Sequence, residues 1–548
     1  MKPKRPLGPK RFAEFAARLS VQGAIPSFGA GALPALWLML VLVMLGGCSS
    51  VQPVEPSHAL PSEGTWLGDR VREEAAGHIQ GYSGVRLLAD STEAFTARAE
   101  LARHAQHSLD LQYYIVHDGL STRNLIEEVL AAADRGVRVR ILIDDTSADG
   151  QDAEIALFAA HPNISVRVFN PLHLGRISGV TRSLGRLMNL NLQHRRMHNK
   201  LWLADSAVAI VGGRNIGDEY FDAEPQLNFT DLDLLGAGPV AKDLAQSFDE
   251  YWNSSLSLPI KQFVWRRPTK KELRESRGLL EASLQESRLA DPELFERLTH
   301  YREAPQLATW MHELMWVPAL ALWDAPAKIL ASNEPDPQLL LATRLAGEME
   351  EVQHELMLVS AYFVPTQAGV DYLTRRADEG VAVSLLTNSL EATDVPAVHG
   401  GYAPYRAELL AHGIELFELR RQAEQKISYS YTGDSESSLH TKAAILDRQK
   451  VFIGSFNFDP RSMLWNTEVG VLVDSKALAE QVRNLTLEGM SPALSYQVQL
   501  DTDDAGRERL VWWTEEHGKP YRLTREPGGL WRHFNAWIAR AIGLERML

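Results

Sequence analysis

The pattern His-x-Lys-x4-Asp occurs twice, as His198-x-Lys200-x4-Asp205 and His440-x-Lys442-x4-Asp447, and the second copy begins 242 residues after the first. Each copy is followed at the same distance by a turn of small residues ending in asparagine, Gly212-Gly213-Arg214-Asn215 and Gly454-Ser455-Phe456-Asn457. Five residue types kept in register over that interval mark a duplicated unit rather than a chance match. A chain built this way must fold as two similar bodies, each carrying half of whatever the motif does.

The element order repeats with the motif. Strand-like and helix-like stretches alternate over Val85 to Leu88, Thr92 to Gln106, Leu109 to Val116, Ser121 to Asp134 and Val137 to Ile143. The same order returns over Lys328 to Ala331, Pro337 to Gln353, Leu356 to Phe363, Gln367 to Asp378 and Val381 to Leu386. Such alternation predicts an α/β fold of two pseudo-symmetric lobes, 81–255 and 326–490, each a mostly parallel sheet flanked by helices, packed face to face. Residues 256–325 read as a helical insertion whose Trp310, Met311, Met315 and Trp316 form a packing bridge. Residues 491–548 form a C-terminal extension in which Leu530, Trp531, Phe534, Trp537, Ile538 and Ile542 fall at helical spacing, with Arg532, Arg540 and Arg546 opposite. That helix either lies in a membrane interface or docks on the C-terminal lobe.

At 548 residues, 45% apolar and 23% charged, the chain is long enough for two cores. A net charge of -14 offers no basic face to a polyanion, so no nucleic-acid partner is expected. The single cysteine, Cys48, rules out an intramolecular disulfide and a multi-thiolate metal site. Ahead of it the chain runs basic (Lys2, Lys4, Arg5, Lys10, Arg11, Arg18), then apolar from Ala35 to Leu45, then small, which is the layout of a signal peptide over 1–47. Leu45-Gly46-Gly47-Cys48 resembles the bacterial lipobox, which implies a lipid-modified Cys48 and a periplasm-facing place in the cell envelope. The resemblance favours the outer membrane, because Ser49-Ser50 lacks a retention aspartate. The alternative is an uncleaved N-terminal anchor, since Val21 to Leu45 carries no charge. Residues 48–80, with Pro53, Pro56 and Pro61, read as a tether.

On an extended segment, residues two apart share a face, so each histidine lies beside its lysine. The glycines return Asn215 and Asn457 toward the pairs, and lobes related by a pseudo-twofold axis bring two His, two Lys and two Asn around one phosphate. A neutral imidazole can attack phosphorus while a second imidazolium protonates the departing alkoxide, with lysines and asparagines stabilising the equatorial oxygens. That chemistry requires no metal or cofactor. Asp205 and Asp447 are out of phase with the His-Lys face, so a structural role is expected.

The paired HxKx4D-x6-GGxN and HxKx4D-x6-GSxN patterns resemble the phospholipase D superfamily, and the resemblance runs from Gly81 to about residue 490. It implies a covalent phosphohistidine, with His198 as nucleophile and His440 as general acid, though the order can be reversed. Lys200, Lys442, Asn215 and Asn457 would bind the phosphate. A later carboxylate would orient each histidine: Asp231 matches that place in the first half, with Asp233 a weaker match, and Glu468 matches it in the second. The wording Ser108-Leu109-Asp110-Leu111-Gln112-Tyr113-Tyr114, Arg195-Arg196-Met197-His198 and Thr393-Asp394-Val395-Pro396-Ala397-Val398-His399-Gly400-Gly401-Tyr402 looks like the bacterial cardiolipin synthase C type. That implies phospholipid substrates, phosphatidylglycerol or phosphatidylethanolamine, at a membrane. Hydrolysis to phosphatidic acid and a nuclease of the same mechanism are the alternatives. Arg195 and Arg196 read either as a phosphate contact or as solvated, and Tyr113 and Tyr114 as lipid-groove lining or packing.

Overall fold

The computed structural model describes residues 55–147, 151–172, 194–422, 436–502, 506–541 and 543. Two units divide the chain, Met1–Pro56 and Ser57–Leu548, and the architecture that follows is that of the second. The signal segment, Cys48, Ile542 and Arg546 lie outside the described residues. Among the described residues no helix is long and apolar enough to cross a membrane.

Toward one edge of the first sheet is a parallel trio, Ser108–Tyr113, Arg138–Asp144 and Ile164–Phe169, connected by helices Leu120–Asp134 and Asp152–Phe158. Beyond Ser108–Tyr113 run Leu201–Ala204, Val208–Gly212, Asp233–Ala237, Ser83–Leu88 and Met315–Val317, each antiparallel to its neighbour, and Ser257–Pro259 closes the far edge. The second sheet repeats the plan. Its parallel trio is Glu355–Ser360, Ala382–Asn388 and Glu415–Leu419, followed on one side by Lys442–Leu446, Lys450–Gly454, Val469–Asp474 and Ala319–Trp323.

The sheets are therefore mixed, not mostly parallel: two of eight pairings in the first and two of nine in the second run parallel. The reason is connection length. Only a helix-length crossover can return the chain to a parallel neighbour, whereas the tight turns after Ala204 and Leu446 enforce antiparallel hairpins. Lys328 to Ala331 is not a strand either. Pro326–Leu330 is a 3₁₀ turn, and Lys328 is drawn inside by a 2.8 Å ion pair with buried Asp324.

The hairpin turns explain the motif aspartates. Asp205 and Ser206, like Asp447 and Arg448, have φ of 52 to 56°, the doubly left-handed geometry that matches a tight hairpin to sheet twist. Asp205 accepts hydrogen bonds from the backbone N–H groups of Gln106, His107 and Ser108, and Asp447 from those of Gln353, His354 and Glu355. Each carboxylate thus ties its hairpin to the start of the neighbouring trio strand.

The sheets meet through a shared core in which Val85, Leu203, Val211 and Leu234 of the first pack with Ile445, Val451, Ile453 and Val471 of the second. Each such buried aliphatic contributes about 1.5–3 kcal/mol. Helix Lys270–Ala290 and the segment through Trp310 and Met311 cover the outer face of the first lobe, where Leu273, Leu284, Trp310 and Met311 join its core. The tether is shorter than 48–80. Helix Trp66–Ala75, capped by Thr65, sends Leu67 and Val71 into that same core. At the other end, Ser495–Thr502, Glu508–Glu516 and Lys519–Leu523 extend the second sheet beyond residue 490.

Candidate active site

Two short backbone ladders cross from lobe to lobe, and they build the site. On one side Met197 bridges Thr467, with His198 N donating to Thr467 O at 2.8 Å and Thr467 N to Arg196 O at 2.8 Å. On the other, Leu227–Thr230 pairs in parallel with Glu436–Leu439, and His440 N donates to Thr230 O at 2.8 Å. Each ladder sets a histidine opposite the residue just before a carboxylate of the other lobe. His198 Nδ1 lies 2.9 Å from Glu468 Oε2, and His440 Nδ1 lies 2.6 Å from Asp231 Oδ2.

The histidine-carboxylate pairing is crossed. Asp231 belongs to His440 and Glu468 to His198, not each to the histidine of its own half. Neither lobe holds a complete half-site. Asp233 is engaged elsewhere, with Arg98 at 2.9 Å and Arg214 at 3.3 Å.

The eight motif residues converge. His198, His440, Lys200, Lys442, Asn215, Asn457, Asp231 and Glu468 are all at most 7% exposed. Lys200 Nζ donates to its own His198 carbonyl at 2.6 Å, and Lys442 does the same to that of His440. Asn215 Oδ1 accepts from Ile115 N, while its Nδ2 donates to the Tyr220 hydroxyl at 2.9 Å; Asn457 Oδ1 faces Tyr362 N. Tyr114 meets the His198 ring edge-on at 5.0 Å between centroids, and Tyr220 meets His440 at 5.3 Å. The glycines admit this closeness: a Cβ on Gly213 would stand 2.2 Å from an Asp231 carboxylate oxygen. At the equivalent place in the second half, Ser455 donates its hydroxyl to Glu468.

Burial and the lysines set the charges. Desolvation, then Lys200 and Lys442, hold the His198 imidazole well below its ordinary value. Desolvation and Lys442 pull His440 down to about 4, against the opposing pull of Asp231. Each ring is thus depressed by the other lobe's lysine as well as its own. Burial also lowers both lysines, most of all Lys200. The carboxylates part company. Burial pushes Glu468 up to about 7, whereas for Asp231 burial is outweighed by Lys442 and His440, which hold it below the usual range. With Nδ1 donating to a carboxylate, Nε2 is the nitrogen left for chemistry on both rings.

Other expected contacts resolve differently. Arg195 is half-buried and held by the protein itself; it donates to Ile329 O at 2.8 Å and to Ala331 O, and stacks on Trp465. Arg196 lies 3.7 Å from Asp144. Tyr113 is packed, accepting from Arg98 at 3.1 Å. Three supports have no counterpart in the motif. Asn388 holds the segment before His440 by bonds to both Leu439 N and O, Asp324 accepts from Glu468 N at 2.8 Å, and Asp394 accepts from the Tyr362 hydroxyl at 2.8 Å. Of the three, only Asp394 lies in a stretch, Thr393 to Tyr402, that carries the family resemblance. Among the described residues one cluster has metal-ligand chemistry, His399, Glu418 and Glu526. Arg406 already bonds both glutamates, at 2.9 and 2.6 Å, and supplies the cation there.

Comparison with known proteins matches both halves of the chain to one family. Residues 99–252 and 345–487 match the family described as "Cardiolipin synthase, PLD-like domain", and the two matched blocks carry the two His-Lys pairs. The chain is 38% identical over 476 residues to cardiolipin synthase C of Escherichia coli (strain K12), covering 85% of this chain and 97% of that protein. It is 23% identical to cardiolipin synthase B of Shigella flexneri over 78% of this chain and 84% of that one. Phosphatidylserine synthase of Haemophilus influenzae Rd KW20 superposes with a TM-score of 0.49 at 15% identity, over 78% of this chain and 92% of that one. The duplicated motif, the two lobes and the matched blocks lead to one conclusion: this chain belongs to the PLD-like cardiolipin synthase family.

Proposed function

We propose that the chain is a phosphatidyltransferase that moves a phosphatidyl group from one phospholipid to the headgroup hydroxyl of another. The observation that carries the reading is the crossed pairing, which supplies two neutral imidazoles, each backed by a carboxylate of the other lobe, beside two buried lysines. His198 Nε2 attacks phosphorus as the bond to the leaving headgroup oxygen breaks, and His440 gives that oxygen its proton. In the second half His440 takes the proton of the incoming hydroxyl, the new P–O bond forms, and the N–P bond to His198 breaks. One phosphodiester replaces another, so the exchange needs no nucleotide. Lys200, Lys442, Asn215 and Asn457 stabilise the charge on the non-bridging oxygens. A bound phosphodiester also offsets the two lysines and restores the proton affinity that His440 needs.

The unlike carboxylates support His198 as nucleophile. Asp231 is ionised and stabilises an imidazolium on His440, whereas Glu468 titrates near neutrality and leaves His198 a base that sheds its proton. In detergent with phosphatidylglycerol, the protein is expected to yield cardiolipin and glycerol without nucleotide or metal. Reactions quenched in alkali should contain a phosphoramidate on the His198 peptide, since the N–P bond survives base and is cleaved in acid. Phosphatidic acid as the sole product would replace transfer with hydrolysis, and a label on His440 would reverse the two roles. We further propose that Cys48 is lipidated and becomes the first residue of the mature chain, on the strength of Leu45-Gly46-Gly47-Cys48. Incorporation of labelled fatty acid that survives Cys48→Ser would end that part.

A further inference from the structure

Helix Leu530–Ala541 is docked on one side and bare on the other. Its inner side is fastened to the segment 390–402. Arg532 donates to Leu390 O at 3.2 Å and Thr393 O at 2.6 Å, Ala539 is buried, and Gly400 lies so close that a Cβ there would stand 2.3 Å from Ala536 O. Just ahead of the helix, Glu526 is gripped by His399 Nε2 at 2.6 Å and Arg406 at 2.6 Å. The outer side carries Leu530, Trp531, Phe534 and Trp537, exposed by 91, 70, 46 and 62%. Neighbouring rings stand 5.6 and 6.2 Å apart, so the aromatics form one continuous stripe.

We propose that this stripe is a membrane-seating surface, held rigidly on the C-terminal lobe and inserted into the headgroup region of a phospholipid bilayer. Tryptophan and phenylalanine on one face of a short helix, with Arg525 and Arg540 exposed nearby, have the chemistry of the bilayer interface, where amphipathic rings sit at headgroup depth and cations meet anionic lipid. The helix is too short and too polar on its inner side to span the membrane. A second copy of the chain is a poorer fit: a stable protein interface takes roughly 800 Å² and 20–30 residues a side. Four side chains on one stripe fall short of that.

Its position ties the stripe to the candidate active site. The segment beneath it contains Asp394, which accepts from the Tyr362 hydroxyl, and Tyr362 N faces Asn457 Oδ1 at 3.4 Å. A bilayer seated on the stripe therefore lies one short segment from the candidate phosphate site. This consequence rests on the transferase reading; the lipid contact itself does not.

The test uses the full chain in phosphatidylglycerol vesicles with brominated acyl chains. Wild-type tryptophan fluorescence is expected to be quenched, and Trp531→Phe/Trp537→Phe should lose that quenched component. Separately, Trp531→Ser/Phe534→Ser/Trp537→Ser should lower turnover of vesicle lipid by about tenfold or more and leave turnover of monomeric short-chain phosphatidylglycerol in place. Quenching identical in the two proteins would overturn the proposal, as would equal loss on both substrates or loss on neither. A dimer in wild type that becomes a monomer in the triple variant would make a second copy the occupant and overturn it too. Quenching without any lipid turnover would leave the seating intact and remove the transferase reading.

Discussion

The two half-sites share a backbone frame and differ in what surrounds the imidazole. At His198 the partner is Glu468, itself held by Ser455 and by the Asp324 carboxylate that accepts its backbone N–H, and Tyr114 covers the ring. At His440 the partner is the shorter Asp231, Gly213 replaces the serine, and both Tyr220 and Phe229 pack on the ring. Duplication preserved the crossing ladders while the side chains diverged, and the divergence separates the carboxylates to about 7 on one side and below the usual range on the other. In the proposed transfer this asymmetry assigns attack to His198, backed by Glu468, and protonation to His440, backed by the ionised Asp231.

The largest effects test that division. His198→Ala should abolish turnover of every substrate, a loss of at least ~10³-fold. His440→Ala should cost about 10²–10⁴-fold on phospholipid yet far less on a 4-nitrophenyl phosphodiester, whose leaving group needs no proton. The burst of nitrophenolate in the first turnover decides it, because the second half of the reaction still uses His440 as base. If both variants fail equally on the nitrophenyl ester, the division of roles is wrong.

Next comes the pH profile. Below about 7 Glu468 takes up a proton and can no longer accept from His198 Nδ1, so kcat/KM of the wild type should rise with pH through about 7. Glu468→Gln should lower the plateau and flatten that limb. The stability slope has the opposite sign. Glu468 in the fold binds its proton more tightly than the ordinary 4.5, so between about 4.5 and 7 the folded chain holds more protons than the unfolded one, and stability falls as pH rises. Thermal unfolding of wild type and Glu468→Gln at pH 5.5 and 8 should show the variant losing less over that interval.

A smaller effect separates Ser455 from Gly213. Ser455→Gly removes a hydroxyl that serves Glu468 and accepts from Val469 N at 3.0 Å, and should cost about 1–3 kcal/mol of stability. Gly213→Ser should do worse than mere loss of symmetry suggests, since its Cβ would collide with Asp231. Denaturant unfolding of both variants, with turnover alongside, compares the half-sites directly.

The motif residues and the α/β duplication were legible because each is written in a local stretch: the His-Lys phase, the returning glycines, the strand and helix periods. The carboxylate partners were legible by position but not by pairing, since the crossing depends on Met197 meeting Thr467 across 270 residues of chain. The mixed character of the sheets was recorded only indirectly, in the shortness of the turns at Asp205 and Asp447. Lys328 read as part of a strand because its apolar neighbours are what a strand would show; its burial comes from Asp324, whose own role is to hold the Glu468 backbone. The terminal helix carried both of its faces in its spacing, but which one was spoken for depended on Gly400 lying beneath Ala536.

The smallest effect concerns the motif aspartates, which close the hairpins at the far end of the His-Lys strands. Both accept three backbone N–H groups, but Asp205 is fully buried and Asp447 is half-buried, so water can replace part of what Asp447 provides. Asp205→Asn should cost about 1–3 kcal/mol, and Asp447→Asn toward the lower end of that range. Neither touches the imidazoles or lysines, so kcat/KM on phosphatidylglycerol should stay within about threefold of wild type at a temperature where both variants are folded. A loss of activity as large as that of His440→Ala, without a matching loss of stability, would mean that the hairpin turn transmits something to the site beyond its fold.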